Sequence, residues 1–202
     1  MKYGVRQFFY DVGKMMREFF NKDTNKMQRA NMWTFSRFII SFIIPILALI
    51  TLELSSKFLY IIIIILTVFG VFTDFIDGRS ARKYNSTSDF GKILDSITDK
   101  VFSIMISLCL SMFNKWFMII ILNEIIIAIV NYLYYLKYSC LKSTLVGKIK
   151  QWPLAVSFVL GFFEYLFPNI SLIVLIFVII TCILQFLALF SYIFFYLKKS
   201  TS

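Results

Sequence analysis

Long apolar blocks separated by short polar connections dominate this chain. Six of them predict helices crossing a bilayer, at 34–53, 57–78, 93–113, 116–137, 151–167 and 170–197. A hydrocarbon core ~30 Å thick takes about 20 such residues. The last block exceeds this minimum, which predicts tilt or an extension into the cytoplasm. No strand-like alternation of apolar and polar positions is sustained, so the expected fold class is an all-α membrane protein with six transmembrane helices.

Residues 3–20 carry a different pattern. Phe8, Val12, Met15, Met16, Phe19 and Phe20 fall at helical spacing, with Arg6, Asp11, Lys14, Arg17 and Glu18 between them. Such a segment predicts an amphipathic helix lying in the membrane interface, with an anchoring role. The expected organisation is an amphipathic juxtamembrane segment over 1–33, then one six-helix transmembrane domain over 34–199. No internal repeat interrupts it.

Charge orients the predicted bundle. The 202 residues include 21 Lys and Arg against 11 Asp and Glu, a net charge of +10. With an even number of spans, every basic residue except Lys57 and Lys115 falls on the side of the two termini. The positive-inside rule then places both termini on the cytoplasmic side. Basic flanks of this kind attract anionic lipid head groups, and no nucleic-acid-binding motif accompanies them. No cleavable signal-peptide pattern opens the chain, which fits a multi-pass protein of a bacterial cell membrane.

Chemistry narrows further. Histidine is absent, which excludes imidazole catalysis and His-ligated zinc. Cys109, Cys140 and Cys182 are scattered without ligand spacing and read as structural filler. The acidic residues concentrate in TDFIDGRSARKYNSTSDFGKILDSITDK, residues 73–100, where Asp74 and Asp77 are three apart and Asp95 and Asp99 four apart. Each pair shares one helix face. Asp-Gly is also a common turn, and the polar stretch near 78–92 would serve as a solvated loop. That loop reading is preferred for Asp89, which lies outside the paired spacing. Carboxylates are costly within a membrane, so the other four mark a functional site. Their mutual repulsion calls for cations between them, and all-oxygen ligation suits magnesium or manganese.

Written as Asp-x2-Asp-Gly-x2-Ala-Arg-x8-Gly-x3-Asp-x3-Asp, the pattern is occupied by Asp74, Asp77, Gly78, Ala81, Arg82, Gly91, Asp95 and Asp99. It resembles the signature of the CDP-alcohol phosphotransferase family at every fixed position. The resemblance implies a homodimeric enzyme of six transmembrane helices that moves a phosphatidyl or similar group from a CDP-linked donor to an alcohol, releasing CMP. It further implies that Asp74, Asp77 and Asp95 hold two divalent cations, Mg2+ or Mn2+, and that Asp99 is the general base with a share of the second metal. Gly78, Ala81, Arg82 and Gly91 are implied to lie along the CDP moiety. The residue types suit those roles: glycine admits close backbone approach, and arginine offers a fork for phosphate.

Residues outside the signature bear on the acceptor. Asn31, Thr34 and Arg37 share one helix face and resemble the Asn-x2-Thr-x2-Arg that opens the first span of bacterial phosphatidylglycerophosphate synthases. Helix capping and snorkelling account for them as well. Gly147-Lys148-Ile149-Lys150 resembles the Gly-Lys-x-Lys-Thr of those synthases, with Gln151 where threonine is usual. Lys148 and Lys150 would hold the acceptor phosphate or serve as flank charges. Asn123-Glu124 stands where the synthases commonly have Arg-Glu, so an acceptor-site arginine is missing, and Glu124 becomes a buried carboxylate in need of a partner.

Together these features lead to transfer of a phosphatidyl group from CDP-diacylglycerol to glycerol 3-phosphate in phospholipid biosynthesis. The missing arginine keeps other acceptors open: inositol phosphate, another polyol phosphate, phosphatidylglycerol or an amino alcohol. A cation transporter using the aspartates as an ion path is the reading from a different class. CDP separates the two classes, because only the transferase gains stability from it. At about 100-fold over its dissociation constant, CDP should add about 2.7 kcal/mol, seen as a raised unfolding temperature.

Overall fold

The computed structural model describes residues 27–84, 89–138 and 144–200, with side chains described over 33–73, 95–137 and 144–197. The amphipathic segment predicted over 3–20 lies outside the described residues. Within them the chain is all-helical. Helix α1 spans Met27–Leu54, α2 Lys57–Tyr84, α3 Asp89–Ser111 and α4 Phe117–Tyr138. A short α5, Leu145–Ile149, leads into α6, Gln151–Leu166. A single 3-10 turn, Pro168–Ile170, then opens onto α7, Ser171–Ser200.

These helices follow the six predicted apolar blocks, with two differences. Among the described residues, three helices are long and apolar enough to cross a membrane, over Trp33–Leu54, Phe117–Lys137 and Pro168–Leu197, and the described apolar part of α2 is Lys57–Thr73.

The second difference concerns the polar stretch near 78–92. It is not a loop up to the site, because α2 continues to Tyr84 and α3 begins at Asp89. Asp89 therefore opens a helix. At 1.5 Å per residue the 28 residues of α2 extend about 42 Å, so its polar end projects past the ~30 Å hydrocarbon layer.

The first three helices form one subassembly, with α1 against both α2 and α3. Helix α4 packs between α3 and α7, and α6 closes onto α7, α2 and α3. Their shared interior holds Ile44, Tyr60, Ile63, Ile106, Leu110, Phe117, Phe158 and Phe162. Large apolar residues such as Phe58, Ile65, Leu172 and Phe190 point outward instead. In water that would be a liability, and against lipid tails it is the expected outer face.

Hydroxyls buried in such an interior need local acceptors. Thr67 donates to the Ile63 carbonyl at 2.9 Å, and Ser103 to that of Asp99 at 2.8 Å. Ser157 and Thr181 bond each other at 2.9 Å, tying α6 to α7.

Two glycines permit close approach. A Cβ on Gly161 would sit 2.6 Å from the Phe117 ring, and one on Gly70 would sit 2.6 Å from the Phe102 ring. Gly161→Ala should therefore overpack the α4–α6 contact. A loss of about 1–3 kcal/mol is expected, measured by thermal unfolding of the purified protein.

Candidate active site

Helix α3 carries Asp95 and Asp99 one turn apart, so both carboxylates face the same way. Helix α1 meets them with Arg37, whose side chain is only 2% exposed. Its Nη2 lies 2.8 Å from Asp95 Oδ1 and 2.7 Å from Asp99 Oδ1. A guanidinium is always charged and suits bidentate or bridging contact with carboxylates. The other oxygen of Asp99 is held from a third helix: Gln151 Nε2 at the start of α6 donates to Oδ2 at 3.1 Å. Asp99 is thus gripped on both sides. Asp95 remains half-exposed, at 47%.

Beside this grip lies a cavity of about 50 Å³, with Arg37, Asp99, Ser103 and Gln151 on its polar wall. Phe102 and Phe158 are among its apolar lining. A water molecule's share of liquid volume is about 30 Å³. The space therefore suits a small hydroxyl-bearing group beside Asp99, and a phospholipid must lie outside it.

A second polar cluster backs the first. Glu124 of α4 is buried, and its Oε2 lies 2.7 Å from Lys100 Nζ. Its Oε1 pairs with Lys150 Nζ and accepts from Gln185 Nε2 at 2.9 Å. Asn123 Nδ2 in turn donates to Gln185 Oε1 at 3.2 Å. Burial first, and then the Lys100 charge, pull the Lys150 ammonium down to about 8 against the pull of Glu124. It stays mostly protonated at neutral pH, so two ammoniums surround one carboxylate.

The two clusters are linked by the chain itself. Residues 99 and 100 are neighbours, and so are 150 and 151. Asp99–Gln151 is one tie between α3 and the α5–α6 junction, and Lys100–Glu124–Lys150 is a parallel one.

The predicted residues distribute as follows. Thr34 is buried one turn before Arg37 on the same face of α1, and Asn31 lies on the α1 backbone outside the described side chains. Asp74, Asp77, Gly78, Ala81 and Arg82 lie on the α2 backbone and Gly91 on that of α3, with their side chains also outside the described set. Asp74 and Asp77 retain one helix face. Lys148 is exposed, whereas Lys150 is buried on Glu124. Thr144 caps α5 by accepting from Gly147 N at 3.0 Å.

Two contributors escaped the sequence reading. Gln151 was visible only as a departure from threonine. Gln185 had a usable signal, because an amide in the long apolar run of α7 requires a partner.

Among the described residues, no group of three His, Cys, Asp or Glu side chains could hold a metal. The described part of the proposed site nevertheless fits one. Asp95 and Asp99 are hard oxygen donors on one face, and a guanidinium already sits on both, so the place attracts a cation.

Comparison with known proteins decides the family. The sequence matches the model of CDP-alcohol phosphatidyltransferase over residues 27–196. The chain belongs to the CDP-alcohol phosphatidyltransferase family. Within it, the chain is 36% identical over 89 residues to a CDP-diacylglycerol–glycerol-3-phosphate 3-phosphatidyltransferase of Aquifex aeolicus, covering 44% of this chain and 46% of that one. A protein of the same name from Rickettsia bellii is 43% identical over 58 residues, covering 29% of this chain and 32% of that one. The matched stretches thus span less than half the length of either relative.

For this family member, Glu124→Gln should strand the buried Lys150 ammonium and the partly buried Lys100 ammonium. A loss of about 3–5 kcal/mol is expected, measured by thermal unfolding. Adding Lys150→Met should recover part of that loss, because the two residues share one network.

Proposed function

We propose that this chain transfers a phosphatidyl group from CDP-diacylglycerol to a small alcohol-phosphate, glycerol 3-phosphate, releasing CMP. The observation that carries the reading is Asp99, held on both carboxylate oxygens and lining a cavity suited to a hydroxyl group. Family membership and the names of the two relatives support the donor and the acceptor.

In this proposal Asp74, Asp77, Asp95 and Asp99 hold two divalent cations, Mg2+ or Mn2+. When bound, these supply polarisation of the phosphoryl group and screening of the charge on CMP. Gly78, Ala81, Arg82 and Gly91 line the CDP moiety, and the Arg82 guanidinium faces phosphate. Asp99 accepts the proton of the acceptor hydroxyl. The hydroxyl oxygen forms a bond to the phosphorus bearing the diacylglycerol, and the bond from that phosphorus to the CMP oxygen breaks. Gln151 holds one oxygen of Asp99 from α6, so the base needs little reorientation before it acts and positioning contributes to rate.

The acceptor phosphate is assigned in this proposal to the exposed Lys148, with Lys150, Arg37, Asn31 and Thr34 as further acceptor residues. Asn123 favours a second reading. It stands where an arginine is usual and is engaged with Gln185, so this position adds no positive charge for an anionic acceptor. An acceptor without a phosphate, such as an amino alcohol, fits that deficit. The protein is further proposed to cross the cell membrane six times as a homodimer, with both termini and the site cytoplasmic.

CMP release by purified protein tests the proposal, with CDP-diacylglycerol, Mg2+ or Mn2+, and a panel of acceptors. Release dependent on both metal and glycerol 3-phosphate is expected. Release with a different acceptor alone would move the substrate and keep the chemistry. Asp99→Asn should lower turnover by about 10²–10⁴-fold with the protein still folded. Gln151→Leu should lower kcat by about fivefold, in line with loss of one hydrogen bond worth about 1 kcal/mol.

A further inference from the structure

Arg37 occupies the place where a positive charge is most needed. It comes from α1, 58 residues before Asp95, and its Nη2 touches both Asp95 and Asp99. Its side chain is buried, so the guanidinium is not merely a flank charge reaching toward water. Two carboxylates one turn apart on a helix repel each other, and a cation between them removes that cost. Because arginine stays protonated, no pH change near neutrality can lift it off.

We propose that Arg37 is a built-in counter-cation that competes with divalent metal for Asp95 and Asp99. The inference rests on the metal-dependent reading of the site. Two cationic groups compete for the same carboxylate oxygens, because Mg2+ needs ligand oxygens at about 2.0–2.1 Å and tolerates little distortion. Metal loading therefore displaces the guanidinium. The space to receive it is at hand, since Arg37 itself lines the cavity beside Asp99 and Gln151. The half-exposed Asp95 gives the incoming ion a way in. In the metal-free protein Arg37 offsets part of the negative charge at the α1–α3 contact, and the apparent metal affinity is lowered by the work of moving it.

The test is Mn2+ binding to the purified full chain, followed by electron paramagnetic resonance of free Mn2+, with unfolding temperatures in EDTA and in excess Mn2+. Arg37→Gln should bind Mn2+ at least tenfold more tightly than the unmodified chain. It should unfold at lower temperature in EDTA and recover that loss in Mn2+. Arg37→Lys keeps a charge on a less suited head group and should bind with intermediate affinity. If Arg37→Gln does not fold, Arg37→Lys alone decides, and at least threefold tighter binding supports competition. Equal or weaker Mn2+ affinity in the variants would overturn it and make Arg37 a support for the metal-binding carboxylates. No Mn2+ binding by the unmodified chain or any variant would overturn the metal reading as well, which distinguishes the two failures.

Discussion

A carboxylate inside an apolar helical bundle is stable only where a cation or a set of donors meets it. This structure meets Asp95, Asp99 and Glu124 with Arg37, Lys100, Lys150, Gln151 and Gln185. The helices that supply these partners are far apart in the chain, so their packing and the charge pairing require each other. Helix α1 must lie against α3 for Arg37 to reach the aspartates. The α5–α6 junction must approach α3 and α4 for Lys150 and Gln151 to find Glu124 and Asp99.

The apolar part of the bundle makes such pairing effective. Phe102 and Phe158 wall off the cavity next to Asp99, and Gly70 lets the Phe102 ring come close to α2. Away from bulk water, a charge-assisted hydrogen bond is stronger and an unpaired polar group costs more. Fixed partners on two sides then leave Asp99 with a defined orientation. The same argument explains why the second cluster matters to the first. Residues 100 and 150 are bound through Glu124, which fixes the spacing of residues 99 and 151 beside them.

The position of Asn123 shows how the departure from related sequences is accommodated. An arginine there would add charge to a region that already holds Lys100 and Lys150 around Glu124. Asparagine instead joins a neutral chain of hydrogen bonds through Gln185. The surroundings of Glu124 are therefore less positive than the resemblance to phosphatidylglycerophosphate synthases implies, while the four signature aspartates are all present in the sequence.

Much of this was legible in the linear chain. Apolar block length determined that the fold is helical and suited to a bilayer, because local periodicity and length suffice for that inference. The aspartate spacing pointed to a candidate site, since residues three and four apart share a helix face whatever the surroundings. The loop reading preferred for Asp89 gives way to a helix start, because charge composition does not separate a solvated loop from the polar first turn of a helix. Only the tertiary structure decided which cation meets which carboxylate. Arg37 reaches Asp95, 58 residues further along the chain, and Asp99 beyond it, while Lys150 turns to Glu124. Such contacts depend on which helices pack together, and no local pattern in the sequence carries that information.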